Sequence, residues 1–286
     1  MTALPLPPVP HPFRLPFHYG ALHQIGLDWL VDPGPVHELL SAHHPDLTAA
    51  EFDGRALVSL NYQLYFAQYP FGGGVTQEIE YSVIAFPTAD RGRLPRLDYA
   101  QYAQGWDQTN LLGIARIHVV CDNPFAIRAG RELYAEPKFP GWFEVDLPSL
   151  NGPAGETWTV ACNAAGIGPD DTLERSKTPL LGFTATLDGL TSVPANTAPV
   201  TGYGTDPDGR LLAGPMNVYQ PYRWYDLGAA EHADRVRMTV HPADGDLGRD
   251  VRTLLADTPA AGAWTCQTPP VAAHNRPYYL GGAPRT

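Results

Sequence analysis

From Ala56 to Gln68 the chain alternates with a period of two. Val58, Leu60, Tyr62, Leu64 and Phe66 share one face, and Ser59, Asn61, Gln63 and Tyr65 the other. The run FGGG (Phe71 to Gly74) follows, and the alternation resumes from Val75 to Phe86. There Val75, Ile79, Tyr81, Val83 and Ala85 oppose Thr76, Glu78, Glu80 and Ser82. Two such segments joined by glycines predict a β-hairpin, which Pro87 ends. Arg91 to Arg96 (RGRLPR) reads as an exposed loop. Leu111 to Cys121 is apolar almost throughout, which predicts a strand buried on both faces. Leu22 to Val31, Thr157 to Ala164, Leu181 to Leu187 and Arg235 to Val240 are further strands. Helical periodicity is confined to Pro33 to Ala42 and Asp246 to Ala256. The prediction is a mainly β chain, an antiparallel barrel or sandwich with a few helices outside. Neither a repeat nor a linker interrupts it, so 17–286 is expected to form a single domain behind a proline-rich arm, 1–16.

Composition sharpens that picture. The 30 prolines and 28 glycines suit short strands and many turns. A formal charge of −11 argues against nucleic acid and against anionic membrane surfaces. Neither a signal peptide nor an apolar run of membrane-spanning length is evident. The three cysteines, Cys121, Cys162 and Cys266, have no metal-ligand or disulfide spacing, so reduced thiols and a cytoplasmic location are expected. The ten histidines form no metal motif, and neither a metal nor a cofactor is expected. The run GYGTDPDG (Gly202 to Gly209) lacks the strand–helix context of a nucleotide site and reads as a turn. Asp244-Gly245-Asp246 is too short for a calcium loop.

One cation stands out. Of the 19 basic residues only Lys138 and Lys177 are lysines, and Lys138 lies in DNPFAIRAGRELYAEPKFPGWFEV (Asp122 to Val145) among prolines and aromatics. Unlike arginine, a buried lysine can lose its proton, because desolvation lowers its pKa. The neutral amine can then attack a ketone and form a Schiff base.

The pattern D-N-x-x-A-I-x-x-G-R-E-L-x-x-x-P-K (Asp122, Asn123, Ala126, Ile127, Gly130, Arg131, Glu132, Leu133, Pro137, Lys138) resembles the active-site segment of acetoacetate decarboxylase. The resemblance is firm over Leu57 to Val145. It implies a cone-shaped antiparallel β barrel with helices outside, and Lys138 as the Schiff-base lysine. Phe139 stands where that family has a second lysine, so desolvation alone would have to lower the pKa of Lys138. The resemblance also implies two glutamates and an arginine beside the lysine. Aligning the strands puts Asn61 in the first glutamate's place and Tyr81 in the second's; Glu80 takes the second only if a residue is looped out. The arginine has no counterpart, Leu22 and His23 lying nearest its place. Lys138, Tyr81 and Glu132 are thus the candidate catalytic groups, with Glu132 orienting the lysine loop or pairing with Arg131. Asn61, Arg131, Phe139 and Glu80 are the candidate substrate contacts. Tyr219, Tyr222, Trp224 and Tyr225 are candidates for a pocket wall.

A pocket with Asn and Tyr in place of carboxylates suits an enamine better than a decarboxylation. The expected function is therefore a cofactor-free lyase and homo-oligomer that joins a pyruvate-like keto acid to an aldehyde and then dehydrates the adduct. Decarboxylation of a 3-keto acid such as acetoacetate is the alternative. A non-catalytic barrel binding a small apolar ligand is the competitor from another class.

Overall fold

The computed structural model describes residues 5–107, 109–149, 151–152, 155–196, 200–218, 221–241, 245–268 and 272–280. Its strands in chain order are β1 (Phe17–Val31), β2 (Leu47–Ala49), β3 (Glu51–Phe52), β4 (Arg55–Tyr69), β5 (Gly72–Pro87), β6 (Gly113–Cys121), β7 (Lys138–Asp146), β8 (Thr157–Ile167) and β9 (Leu173–Thr186). After them come β10 (Val193–Asn196), β11 (Val200–Thr205), β12 (Leu211–Val218), β13 (Pro221–Asp226), β14 (Val236–Val240), β15 (Gly262–Thr268), β16 (Ala272–His274) and β17 (Tyr278–Tyr279). The helices are α1 (Pro33–His43), α2 (Tyr99–Ala103), α3 (Pro124–Tyr134) and α4 (Asp246–Leu255). The fold is mainly β. The expected hairpin is β4 and β5, and the two expected helices are α1 and α4. Helix α3, inside the lysine segment, was not legible from periodicity. Of GYGTDPDG, the first part is strand β11, and only the remainder turns back, at Gly209 with φ 75°.

β1 lies between β4 and β15, antiparallel to both. From β4 the pairing runs through β5 to β6. There it divides: one route goes in parallel to β7 and on through β8 and β9 to β14. The other goes, again in parallel, from β6 to β11 and then to β12 and β16, which pairs with β1 again, so the sheet is mixed rather than antiparallel as expected. The short β2 extends β5, and β17 extends β12.

The period-two pattern decides what each face meets. Val58, Leu60, Tyr62, Ile79, Tyr81 and Val83 face the main core, against Phe143, Trp158, Val160 and Phe183 and the apolar sides of α1 and α4. Each such side chain contributes roughly 1.5–3 kcal/mol on burial. The opposite, polar face borders a cavity of about 200 Å³. The part of the proline-rich arm that is described packs over α3, its Phe13 ring 5.2 Å from that of Phe125. No helix among the described residues is long and apolar enough to cross a membrane.

Candidate active site

Lys138 is the first residue of β7, and the segment before it explains how it comes to face the cavity. Asn123 caps α3 by accepting from the amides of Phe125 and Ala126. Asp122 ties the same corner to β5, accepting from the Gln77 amide at 2.7 Å. The helix ends at Ala135 in the left-handed region (φ 53°), and the Glu136 amide turns back to the Gly130 carbonyl. That reversal sends Glu136 and Lys138 inward. Gly130 makes it possible, because a Cβ there would collide with the Glu136 carboxylate and the Lys138 stem. Arg131 anchors the turn by donating from Nε to the Lys138 carbonyl.

Lys138 Nζ lies 2.6 Å from Glu78 Oε2 and 3.4 Å from Glu136 Oε2. Arg116 of β6 donates from Nε to Glu80 Oε1 at 2.8 Å and reaches Glu136 Oε1 at 3.5 Å. Two cations and three carboxyl groups thus form one buried network. Around it stand Tyr65, donating to Glu78 at 3.2 Å, and Gln63, donating at 3.3 Å. His274 adds a ring stacked 3.8 Å from that of Tyr134, with Nε2 buried and without a hydrogen-bonding partner among the described residues.

Burial alone would lower the Lys138 pKa, but Glu78 and Glu136 outweigh it and hold it well above the ordinary value. The expectation of a neutral resting amine is overturned by these two carboxylates. Burial also acts on Glu136, yet Lys138 and Arg116 hold that carboxyl at about 2. On Glu80 burial prevails over Arg116, helped by the nearby Glu78 and Glu136, and its carboxyl rises to about 7. Burial lowers His274 to about 3, so its imidazole is neutral.

The cavity brings together Lys138, Asn61 and Glu80. The other four candidates lie elsewhere. Tyr81 is on the core face of β5, fully buried, with its hydroxyl unpaired among the described residues; the alternation that carries Glu78 and Glu80 inward carries it outward. Phe139 follows Lys138 and so faces the other way, packing on the core with its ring 6.4 Å from that of His118. Arg131 and Glu132 are exposed on the outer side of α3, in a shallow groove with Asp171. Of the aromatic candidates, Tyr222 lines the cavity, Trp224 and Tyr225 are in core clusters, and Tyr219 lies outside the described residues.

Sequence reasoning missed Glu78, Glu136, Arg116 and His274. Glu78 was legible as the companion of Glu80 on the polar face, and Glu136 by its position two residues before Lys138. Arg116 was hidden by a bulge. β5 and β6 pair Tyr81 with His118 but Ser82 with Arg116, leaving Ile117 as the extra residue. Arg116 therefore points into the cavity, whereas His118 points out and meets Asp250 at 2.8 Å.

No protein-family model matches the chain, and no curated protein matches its sequence. Solved structures do match its fold. MppR, an enduracididine biosynthesis enzyme complexed with the condensation product of pyruvate and imidazole 4-carboxaldehyde, superposes with a TM-score of 0.65 at 14% identity, over 98% of each chain. An acetoacetate decarboxylase-like enzyme from Sphingomonas wittichii RW1 gives 0.57 at 13%, over 93% of this chain and 92% of that one. Acetoacetate decarboxylase from Legionella pneumophila gives 0.55 at 11%, over 96% and 92%. The fold is that of acetoacetate decarboxylase-like enzymes.

Proposed function

We propose that this chain is a cofactor-free lyase that forms a Schiff base between Lys138 and a small keto acid, and joins the resulting enamine to an aldehyde. The observation that carries the reading is the buried Lys138 ammonium, 2.6 Å from Glu78 in a cavity that also holds Arg116. We take 17–286 as one domain, and the pairing from β1 through β4, β5, β6, β11, β12 and β16 back to β1 as the wall of a cone-shaped barrel around that cavity.

The ammonium must first give its proton to Glu78. The amine then attacks the keto carbon, and the carbinolamine loses water to leave an iminium. Removal of a proton from the adjacent methyl group by a cavity carboxylate gives the enamine, whose carbon bonds to the aldehyde carbon. The aldehyde oxygen takes that proton and becomes a hydroxyl. The same keto-acid carbon then gives up its second proton, and the hydroxyl takes it and leaves as water, forming the carbon–carbon double bond. Hydrolysis of the conjugated imine frees Lys138. The balance is keto acid plus aldehyde giving an unsaturated keto acid and water. Arg116 is placed to hold the substrate carboxylate by charge-assisted hydrogen bonds. Glu80, with a carboxyl near neutrality, can give a proton and take it back. The condensation product in the MppR complex supports the aldehyde step.

Decarboxylation is the second reading, and one observation favours it. Glu78, Glu80 and Arg116 lie beside the lysine and can stand for the two glutamates and the arginine that the resemblance implies, with Glu136 as a third carboxyl group. One experiment separates the readings. Pyruvate plus borohydride should add the reduced keto-acid mass at Lys138; adduct at Lys177, or at neither lysine, overturns the Schiff-base assignment. Pyruvate and an aldehyde should then yield a conjugated product by absorbance. Rapid release of carbon dioxide from acetoacetate without that product would establish the decarboxylase instead.

A further inference from the structure

The cavity does not end at the charged network. It continues along the polar faces of β1, β4 and β5 to a second buried carboxyl group, Asp28 of β1. In the strand register, Gln24, Gln63 and Glu78 form the row beside Lys138, and Asp28, Ser59 and Ser82 form the row four residues further. At the rise of a strand that is roughly 13 Å away. Asn61 Oδ1, between the rows, and Ser82 Oγ, in the second, are buried without hydrogen-bonding partners among the described residues.

Asp28 is 5% exposed, and its partners are hydroxyls: Tyr99, donating at 3.0 Å, and Ser59. No cation is paired with it among the described residues. A buried carboxylate in that condition is costly. Its surroundings are aromatic. Tyr102, Tyr222 and Trp264 line this end of the cavity, with the rings of Tyr222 and Trp264 5.4 Å apart. Tyr99, Tyr102 and Tyr222 are all close enough for the charge of Asp28 to push their hydroxyls upward, in addition to burial. Two glycines clear the space. A Cβ at Gly26 would meet the Trp264 indole, and one at Gly262 would meet the Tyr99 hydroxyl.

We infer that this end of the cavity is a cation subsite, which selects an aldehyde substrate carrying an ammonium-type group about four or five bonds from its carbonyl carbon. A carboxylate supplies the charge and the ring faces supply cation–π attraction. The length follows from the roughly 13 Å between the rows, less the imine at one end and a hydrogen bond at the other. The substrate class rests on the condensation proposed above; the binding site does not.

The test therefore has two arms. In the first, calorimetry compares pentylammonium with n-hexanol, neither of which has a carbonyl group. The wild type should bind the ammonium about tenfold tighter or more, and Asp28→Asn should abolish that preference. In the second, with pyruvate present, kcat/KM is compared for dimethylaminobutanal and its neutral isostere methylhexanal. The wild type should favour the cationic aldehyde by about tenfold or more, and Asp28→Asn should bring the ratio close to one. Equal binding of the two carbonyl-free probes by the wild type overturns the subsite, whatever happens at Lys138. An ammonium preference in the first arm with no keto acid trapped at Lys138 would keep the subsite and remove the condensation.

Discussion

At the scale of the residue, the charged network sets opposing demands on pH. With all five groups ionised, Lys138 and Arg116 face three carboxylates, so an incoming keto-acid anion enters a site with surplus negative charge. Glu80, at about 7, is the group that takes up a proton to admit it. Binding of an unreactive 2-hydroxy acid should therefore tighten as pH falls through about 7, and Glu80→Gln should flatten the dependence. Titration calorimetry between pH 6 and 8, roughly one pH unit either side, reads this; an unchanged slope in Glu80→Gln would remove Glu80 from the role. Imine formation has the opposite sense, because the amine must lose a proton that Glu78 and Glu136 help it to keep. In Glu78→Gln the largest raising influence on Lys138 disappears. The rise of borohydride trapping with pH should therefore move to lower pH, although its maximum should fall for want of a proton acceptor 2.6 Å away.

At the scale of the element, the lysine segment is a device for turning two side chains inward, and Gly130 is its tightest point. Gly130→Ala brings a methyl group against Glu136 and the Lys138 stem. Overpacking of this kind costs about 1–3 kcal/mol. Trapping at Lys138 should drop well beyond that loss of stability, which thermal unfolding measures alongside. Phe139→Gln is the contrast: it removes packing from the opposite face, so it should lower the melting temperature while leaving the pH dependence of trapping in place. The Lys138 segment was legible because its residues are fixed by local roles: Asn123 caps, Gly130 makes room and Lys138 follows Pro137. The hairpin was legible too, but its faces were assigned the wrong purposes. Alignment without gaps puts Tyr81, on the apolar face, rather than Glu80 in the place of the second glutamate. In this fold the apolar face goes to the core, and the polar face surrounds the cavity. Arg116 depended on a bulge between β5 and β6, and no local pattern marks where one strand slips against its neighbour. His274 depends on β16 pairing with both β1 and β12, contacts between residues more than 200 and about 60 positions apart in the chain, beyond the reach of any local period.

At the scale of the whole molecule, the cavity is a polar interior that the surrounding core must support. Asp28 shows the cost. Burial pushes its carboxyl to about 6, against an ordinary value of 3.8, despite the hydrogen bonds from Ser59 and Tyr99. A carboxyl group raised in the folded state binds its proton more tightly there than in the unfolded chain. Ionised, it therefore opposes folding, fully above about 6 and progressively less as pH falls toward the unfolded value. The difference corresponds to roughly 3 kcal/mol at most. Asp28→Asn keeps the shape and removes the charge, so it should raise the melting temperature by several degrees at pH 8, on the order of 2–4 °C per kcal/mol. The gain should shrink through pH 6 and be nearly absent by about pH 4. Thermal unfolding of both proteins across that range is the measurement. A variant less stable than the wild type at pH 8 would mean that the carboxylate is adequately solvated or paired within the fold, and that its charge is no burden. A variant more stable there would identify Asp28 as a charge retained at the expense of the fold, the condition expected of a group whose partner arrives with the substrate.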